Sequence, residues 1–134
     1  MSLDYSSLEN AIKRLKEGLN AIDKNPENSL YRDAVIQRFE FTYELSHKML
    51  KRYLEETMAN PQEVDDMTFQ NLIRTGSEKS LLLSGWDIWR DYRNARSITS
   101  HTYDEEKAKE VLLVIPAFYN EAKYLIEKLN DESS

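Results

Sequence analysis

The sequence predicts an all-α fold, an up-and-down antiparallel four-helix bundle with one additional short helix. Only three Gly and three Pro occur among 134 residues, too few for the many turns of an all-β protein. Apolar residues instead recur every three or four positions, as they do on one face of an amphipathic helix. A chain of this length is about one domain long, so we expect residues 1–134 to form a single bundle.

Charge and composition exclude several classes of protein. The 18 Lys and Arg against 24 Asp and Glu give a net charge of -6, which argues against a nonspecific nucleic-acid coat, although a local basic patch can still hold a phosphate. Without Cys there is neither a disulfide framework nor a thiolate zinc site, as is usual in a reducing cytosol. The first residues lack an export signal, and the longest apolar stretch, VLLVI at 111–115, is too short to span a membrane. We therefore expect a cytoplasmic protein that has no membrane contact, no metal site and no cofactor.

Two helices fill the first half of the chain, separated by the loop KNPENS. The first begins near Ser6, because Ser6 and Glu9 have the spacing of a capping box. The second begins near Ser29 and runs to the mid-fifties with two apolar stripes, so we expect it to contact neighbours on two sides. One stripe contains Ile36, Phe39, Tyr43, His47, Leu50 and Leu54, and the other contains Ala34, Phe41, Leu45 and Met49.

The second half of the chain contains three further predicted helices. The stretch ETMANPQEVDD is predicted as a loop around Pro61, and the short helix that follows is predicted to end at Gly76 as its C′ residue. Another helix begins at Trp86. The last helix begins after Asp104, a suitable N-cap, and we expect Pro116 to kink it without ending it because the apolar pattern continues in phase.

The stretch RNARSITSHTYDEE, residues 93–106, carries the strongest candidate for chemistry. In an unbroken helix Arg96 and His101 would point about 140° apart, so they can converge only if the helix ends between them. The run SITSHTYD favours such an end, since β-branched and hydroxyl residues have poor helix propensity. This places His101 at a joint between two helices, and Arg96 at the rim of an apolar face where it could stack on an aromatic ring.

Two interpretations of this joint stay open. An arginine that holds a phosphate beside a histidine that moves a proton is the minimum equipment for cutting RNA without a metal, with a second histidine supplied by a two-fold dimer. Arg90 and Arg93 would extend the positive rim toward a phosphate backbone. The alternative is an ordinary corner of caps and ion pairs, which the spacing alone favours.

His47 is a weaker candidate. It follows Glu44 at i+3, which is half of what each of two helices supplies in a di-iron bundle, but no second Glu-x-x-His occurs. We therefore favour a packed histidine. Glu40 and Glu44 are predicted to lie on a solvated face, with Glu44 paired to Lys48 four residues on.

Two segments carry a resemblance to a known family. The phrase Arg96-x4-His101-x-Tyr103 resembles the R-x4-6-H motif of the HEPN superfamily, whose helical bundles include metal-independent RNases. More closely, RFEFTYELSHKMLKRYLEE at 38–56 together with SHTYDEE at 100–106 resembles the nucleotidyltransferase substrate-binding protein family, a sister of the HepT-like toxins. The resemblance covers about residues 5–130 and implies a HEPN-like homodimeric bundle whose partner is a minimal nucleotidyltransferase.

The resemblance also implies roles for individual residues. Arg96 and His101 match the catalytic pair, and Tyr103 matches the tyrosine that receives AMP in HepT-type toxin and antitoxin pairs. Ser97 stands where the family often has Asn, and we take Ser97 and Arg93 as supporting residues. The implied function is that of a nucleotidyltransferase partner subunit that presents this site. The alternative is a metal-independent endoribonuclease toxin, acting on RNA and neutralised by AMP transfer to Tyr103, so whether the protein is an enzyme stays open.

Overall fold

Residues 3–133 fold into six α-helices and one 3-10 turn. The structure is a computed structural model that describes residues 3–133, with side chains described as far as Asp131. Its elements are α1 (Ser6–Lys24), α2 (Ser29–Thr57), α3 (Pro61–Asp65), α4 (Phe69–Glu78), α5 (Trp86–Ser97), a 3-10 turn (Thr99–His101) and α6 (Glu105–Ser133). No strand occurs in these residues, and the predicted all-α bundle is confirmed. No helix within the described range is both long and apolar enough to cross a bilayer.

Helices α1 and α2 form a hairpin in close contact. Gly18 allows the approach, because a Cβ atom there would lie 3.1 Å from Cγ2 of Val35. Polar bonds add to the packing: the Arg38 guanidinium donates to the carbonyl of Arg14 at 2.7 Å, and the Thr42 hydroxyl lies 3.3 Å from the carbonyl oxygen of Ala11. The face of α2 that meets α1 is therefore partly polar.

The predicted second apolar stripe of α2 is wrong in part, although α2 does contact neighbours on two sides, α1 and α6, as predicted. Phe41 is 60% exposed and Ala34 is also exposed, although Met49 is buried. Apolar periodicity missed the contacting face because Thr42 and Arg38 bind α1 through hydrogen bonds. The first stripe is confirmed as core-facing, with His47 half-buried at its edge.

An aromatic cluster joins α2, α5 and α6. Trp89 and Phe118 are fully buried and meet edge to face with ring centroids 6.0 Å apart. Phe118 also contacts Phe39 at 5.2 Å and Tyr92 at 5.3 Å, in T-shaped geometry that suits the quadrupoles of the rings. Trp89 contacts Tyr43 at 6.2 Å. These rings fix how α5 is rotated against the two long helices.

Of three predictions about where helices begin, two need correction and one is confirmed. α1 does begin at Ser6, but Ser6 is its first helical residue, so the predicted capping box does not form; Asp4 instead accepts a 2.9 Å bond from the Ser6 N–H. The predicted loop at Pro61 contains α3, with Pro61 as its first residue and Asn60 capping Gln62. Predicted N-cap Asp104 is confirmed, since it accepts a 2.9 Å bond from the N–H of Glu106.

Gly76 lies inside α4, two residues before the helix ends. The C′ position belongs to Ser80, which has a φ of 62°, and the N–H of Leu81 donates back to the Gly76 carbonyl at 2.9 Å, as in a Schellman motif. The glycine serves packing instead: a Cβ atom there would lie 3.1 Å from Leu82 and 3.2 Å from Leu50.

Glu121 is a fully buried carboxyl group in α6. Its Oε2 accepts hydrogen bonds from the backbone N–H groups of Leu83 at 2.7 Å and Ser84 at 3.3 Å, just before α5 begins. Burial raises the pKa of Glu121, and the hydrogen bonds from Ser84 and Leu83 oppose that rise. The group thus ties the loop before α5 to α6.

Replacement of Glu121 by Gln should remove a pH dependence of folding. Because the folded state holds this proton above the ordinary carboxyl pKa, the wild-type free energy of unfolding should fall as pH rises from about 4.5, the reference value. Glu121→Gln keeps an acceptor for both N–H groups and cannot ionise, so its stability should gain on the wild type as pH rises toward neutrality. Urea denaturation across this pH range measures the difference.

Glu121→Ala is the matched comparison. It leaves both backbone donors without their acceptor and opens a cavity, so we expect it to be about 3 kcal/mol less stable than Glu121→Gln at every pH, since neither variant can ionise at this position. Parallel stability curves for wild type and Glu121→Gln would contradict the assignment of a raised pKa.

Candidate functional site

The predicted end of the helix between Arg96 and His101 is present. α5 ends at Ser97, and Ile98 closes it by donating its N–H to the carbonyl of Ala95. The chain then makes the short 3-10 turn and enters α6 under the Asp104 cap. Thr99 is the buried residue of this turn and anchors it. The backbone therefore meets the geometric condition that a joint site requires.

Arg96 is held by two carboxylates of α2. Its Nε donates to Oε1 of Glu44 at 2.9 Å, and its Nη2 lies 3.7 Å from Oε1 of Glu40. The Thr99 hydroxyl completes the cluster by donating to Oε2 of Glu40 at 2.7 Å. We call Glu40, Glu44, Arg96 and Thr99 the Arg96 cluster. One guanidinium shared between two carboxylates leaves the cluster with an excess of negative charge.

This cluster corrects two predictions. Among the described residues Arg96 binds carboxylates and does not stack on a ring, and the partner of Glu44 is Arg96 in place of Lys48. Glu40 and Glu44 are partly exposed to solvent, as predicted, but their carboxylates also bind α5. The reason is the rotation of α5: Arg96 comes seven residues after the buried Trp89, so both side chains share the face that packs against α2.

His101 and Tyr103 lie on the outside of the same joint. His101 is exposed, and Tyr103 is 86% exposed. Their rings meet edge to face with centroids 6.3 Å apart. Among the described residues, no hydrogen bond joins Arg96 to His101. The structure therefore brings His101 and Tyr103 together and turns Arg96 toward α2.

The two supporting residues have separate surroundings. The Ser97 hydroxyl donates to the carbonyl of Asn94 at 2.7 Å, in the last turn of α5. Arg93 stacks over the ring of Phe69, with Cζ 5.3 Å from the ring centroid. The sequence placed Arg93 on a positive rim and did not predict this contact, because Phe69 belongs to another helix, α4.

His47 packs as predicted. Its ring meets the edge of Phe69 at 5.0 Å, and it is half-buried. Burial lowers the pKa of His47, an effect that Glu44 opposes and Lys51 and Arg93 reinforce. In the part of the chain that the structure describes, no group of three or more His, Cys, Asp or Glu side chains is arranged to hold a metal ion.

Comparison with known proteins identifies the family. The model of the family described as nucleotidyltransferase substrate binding protein like matches residues 3–131, almost the whole chain. The chain belongs to this family. A Haemophilus influenzae protein named Probable ribonuclease HepT is 36% identical over 135 residues, which cover 96% of this chain and 88% of that protein. The resemblance that the sequence indicated is confirmed.

A solved structure has the same fold. A Haemophilus influenzae protein, described as having the fold of a substrate binding domain of a nucleotidyltransferase, superposes with a TM-score of 0.88 and 32% identity. The match covers 95% of this chain and 99% of that one. Family membership thus rests on sequence and on fold together.

Loss of the Arg96 charge should destabilise the α2–α5 contact. Arg96→Gln leaves Glu40 and Glu44 one helical turn apart with no cation between them. All three side chains are partly exposed, at 33%, 41% and 53%, so solvent screens the pairs and we expect a loss of about 1 kcal/mol. Urea denaturation at low salt measures this loss, which should shrink at high salt.

Arg90→Gln is the control, because Arg90 is an exposed arginine of the same helix with no ion pair among the described residues. We expect it to change the free energy of unfolding by less than about 0.5 kcal/mol. An equal loss in both variants, or a loss that salt leaves unchanged, would contradict the ion-pair account.

Proposed function

We propose that this protein is the partner subunit of a minimal nucleotidyltransferase and that Tyr103 receives AMP from it. The observation that carries the proposal is the 86% exposure of Tyr103 at the joint before α6. A tyrosine that packs in a core cannot enter the active site of another protein, and this one contributes little to the core. Membership of the substrate-binding family supports a transferase as the partner.

The chemistry of the joint suits such a transfer. The Tyr103 oxygen attacks the α-phosphorus of ATP, the bond to the β-phosphate oxygen breaks, and pyrophosphate leaves. The phenol proton must pass to a base as the new bond forms. His101 is the adjacent candidate, since its exposed ring contacts that of Tyr103. His101 therefore serves as a proton acceptor beside the nucleophile, while the transferase supplies the nucleotide.

Co-expression with the cognate transferase tests this proposal. Wild-type protein should gain the mass of AMP, and Tyr103→Phe should gain none because it lacks the attacking oxygen. Intact-mass spectrometry measures the gain.

Tyr31→Phe is the matched control, since Tyr31 is another exposed tyrosine at 41%. It should be modified as the wild type is. Undiminished modification of Tyr103→Phe would place the acceptor elsewhere and overturn the assignment.

A second candidate function is that of a metal-independent endoribonuclease. It is favoured by the 36% identity to the protein named Probable ribonuclease HepT and by the exposed imidazole of His101. The RNA 2′-hydroxyl loses its proton and attacks the phosphorus, and the 5′-oxygen leaves with a proton. One His101 per chain supplies one of these transfers, and a homodimer would supply the other. Arg96 would reach the phosphate only by giving up a carboxylate contact.

RNA cleavage in EDTA tests this second function. Wild-type protein should cleave, and His101→Ala should be slower by about 100-fold or more, because general acid–base catalysis contributes that much. His47→Gln is the control, since His47 packs on Phe69, and it should cleave at close to the wild-type rate. Equal cleavage by wild type and His101→Ala would remove His101 from the mechanism.

A further inference from the structure

Arg93 is an exposed arginine whose side chain is already held in place. Its guanidinium lies over the Phe69 ring at 5.3 Å. Phe69 in turn meets His47 at 5.0 Å and Trp86 at 5.9 Å, both edge to face. Among the described residues the Arg93 guanidinium makes no hydrogen bond, so its N–H groups stay available as donors. An anion that binds there meets an ordered cation and loses less conformational entropy.

The charge of Arg93 is also uncompensated. Among the described residues, no carboxylate lies within ion-pair distance of it. The charge of Arg93 also acts on Tyr43: burial raises the pKa of Tyr43 to about 12, and the positive charge of Arg93 opposes that rise. Arg96, one turn along α5, differs in this respect because Glu40 and Glu44 already neutralise it.

The opposite side of α5 is unsuitable for an anion. The groove between α5 and α6, about 460 Å³ in volume, is lined by Asp91, Asn94, Ser97 and Glu110 among others, and it contains no Lys or Arg. Two carboxylates would repel a phosphate there. A phosphate is therefore disfavoured in this groove, whereas on the side of α5 toward α4 it would meet the guanidinium of Arg93.

We infer that Arg93, held against Phe69 one turn before the end of α5, binds a phosphate group that arrives at this side of the helix. This inference rests on the proposed function, because either the RNA backbone or the nucleotide carried by the transferase would deliver that phosphate. Arg96 stays bound to Glu40 and Glu44, and Arg93 provides the free N–H donors. The net charge of -6 makes nonspecific attraction of anions weak, so a single ordered arginine has a measurable effect.

Titration with inorganic tripolyphosphate at low ionic strength tests the inference without any assumption about function. We expect Arg93→Gln to weaken binding by about tenfold, the effect of losing charge-assisted hydrogen bonds. Arg90→Gln removes the same charge one turn earlier and should weaken binding by less than about twofold. Phe69→Leu keeps the cation and removes its platform, so its effect should fall between these values.

Three outcomes would overturn the inference. Wild-type protein that binds no tripolyphosphate excludes the site, and equal weakening by Arg93→Gln and Arg90→Gln shows that bulk charge alone is responsible. Weakening in Arg93→Gln that is matched by loss of the folded state shows a structural role. A melting curve of each variant shows whether the variant is still folded. Arg93→Lys, which keeps the charge, should bind tripolyphosphate more tightly than Arg93→Gln if the charge itself is what binds the anion.

Two further arms identify the source of the phosphate. If it belongs to RNA, Arg93→Gln should weaken binding of a single-stranded oligonucleotide and reduce the salt dependence by about one phosphate contact. If it belongs to the nucleotide, Arg93→Gln should raise the KM for ATP in modification of Tyr103 and leave kcat unchanged. Failure of Tyr103 modification and of RNA cleavage in the wild type would remove the proposed function, while the tripolyphosphate titration would still decide the role of Arg93.

Discussion

The burial of Trp89 is the constraint on which the rest of the structure depends. Its ring is enclosed by aromatic residues of α2, α5 and α6, so α5 can take only one rotation about its axis. The positions of the polar groups follow from that rotation. Arg96 shares the buried face and meets Glu40 and Glu44, whereas Arg93, four residues after Trp89, lies over Phe69 at the edge of the core. The charged surface is thus positioned by apolar packing.

The start of α5 is fixed by a different kind of force. Glu121 binds the backbone of Leu83 and Ser84 inside the protein, where a carboxyl group is costly to bury without partners. The far end of the helix is fixed by Thr99, which bonds to Glu40 of α2. One helix is therefore held by a buried acid at its beginning, rings in its middle and a hydroxyl at its end. Such support is what a joint needs if its exposed residues are to keep a constant position.

Much of the fold could be predicted from the sequence, and less of the site. The long helices were predictable from the spacing of apolar residues, because a helix that buries one face needs apolar side chains on every turn. The helix end after Ser97 was predictable because the residues that follow have poor helix propensity, which is a local property of the sequence. The partners of Arg96 could not be predicted, because Glu44 and Glu40 lie about fifty residues earlier in the chain. Apolar periodicity shows which face of a helix is buried, but not which residues of another helix it contacts. Gly76 was misassigned because turn preference and close packing both favour glycine.

The exposure of Tyr103 has a consequence for what a change at this side chain would do to the rest of the molecule. The side chain contributes almost nothing to the core, since 86% of it lies in solvent. A group attached to its oxygen would change the size and charge of the molecular surface without disturbing the packing of Trp89 or Phe118. Such a modification would therefore leave the fold of the bundle unchanged. Only a molecule that contacts the joint would distinguish the modified protein from the unmodified one.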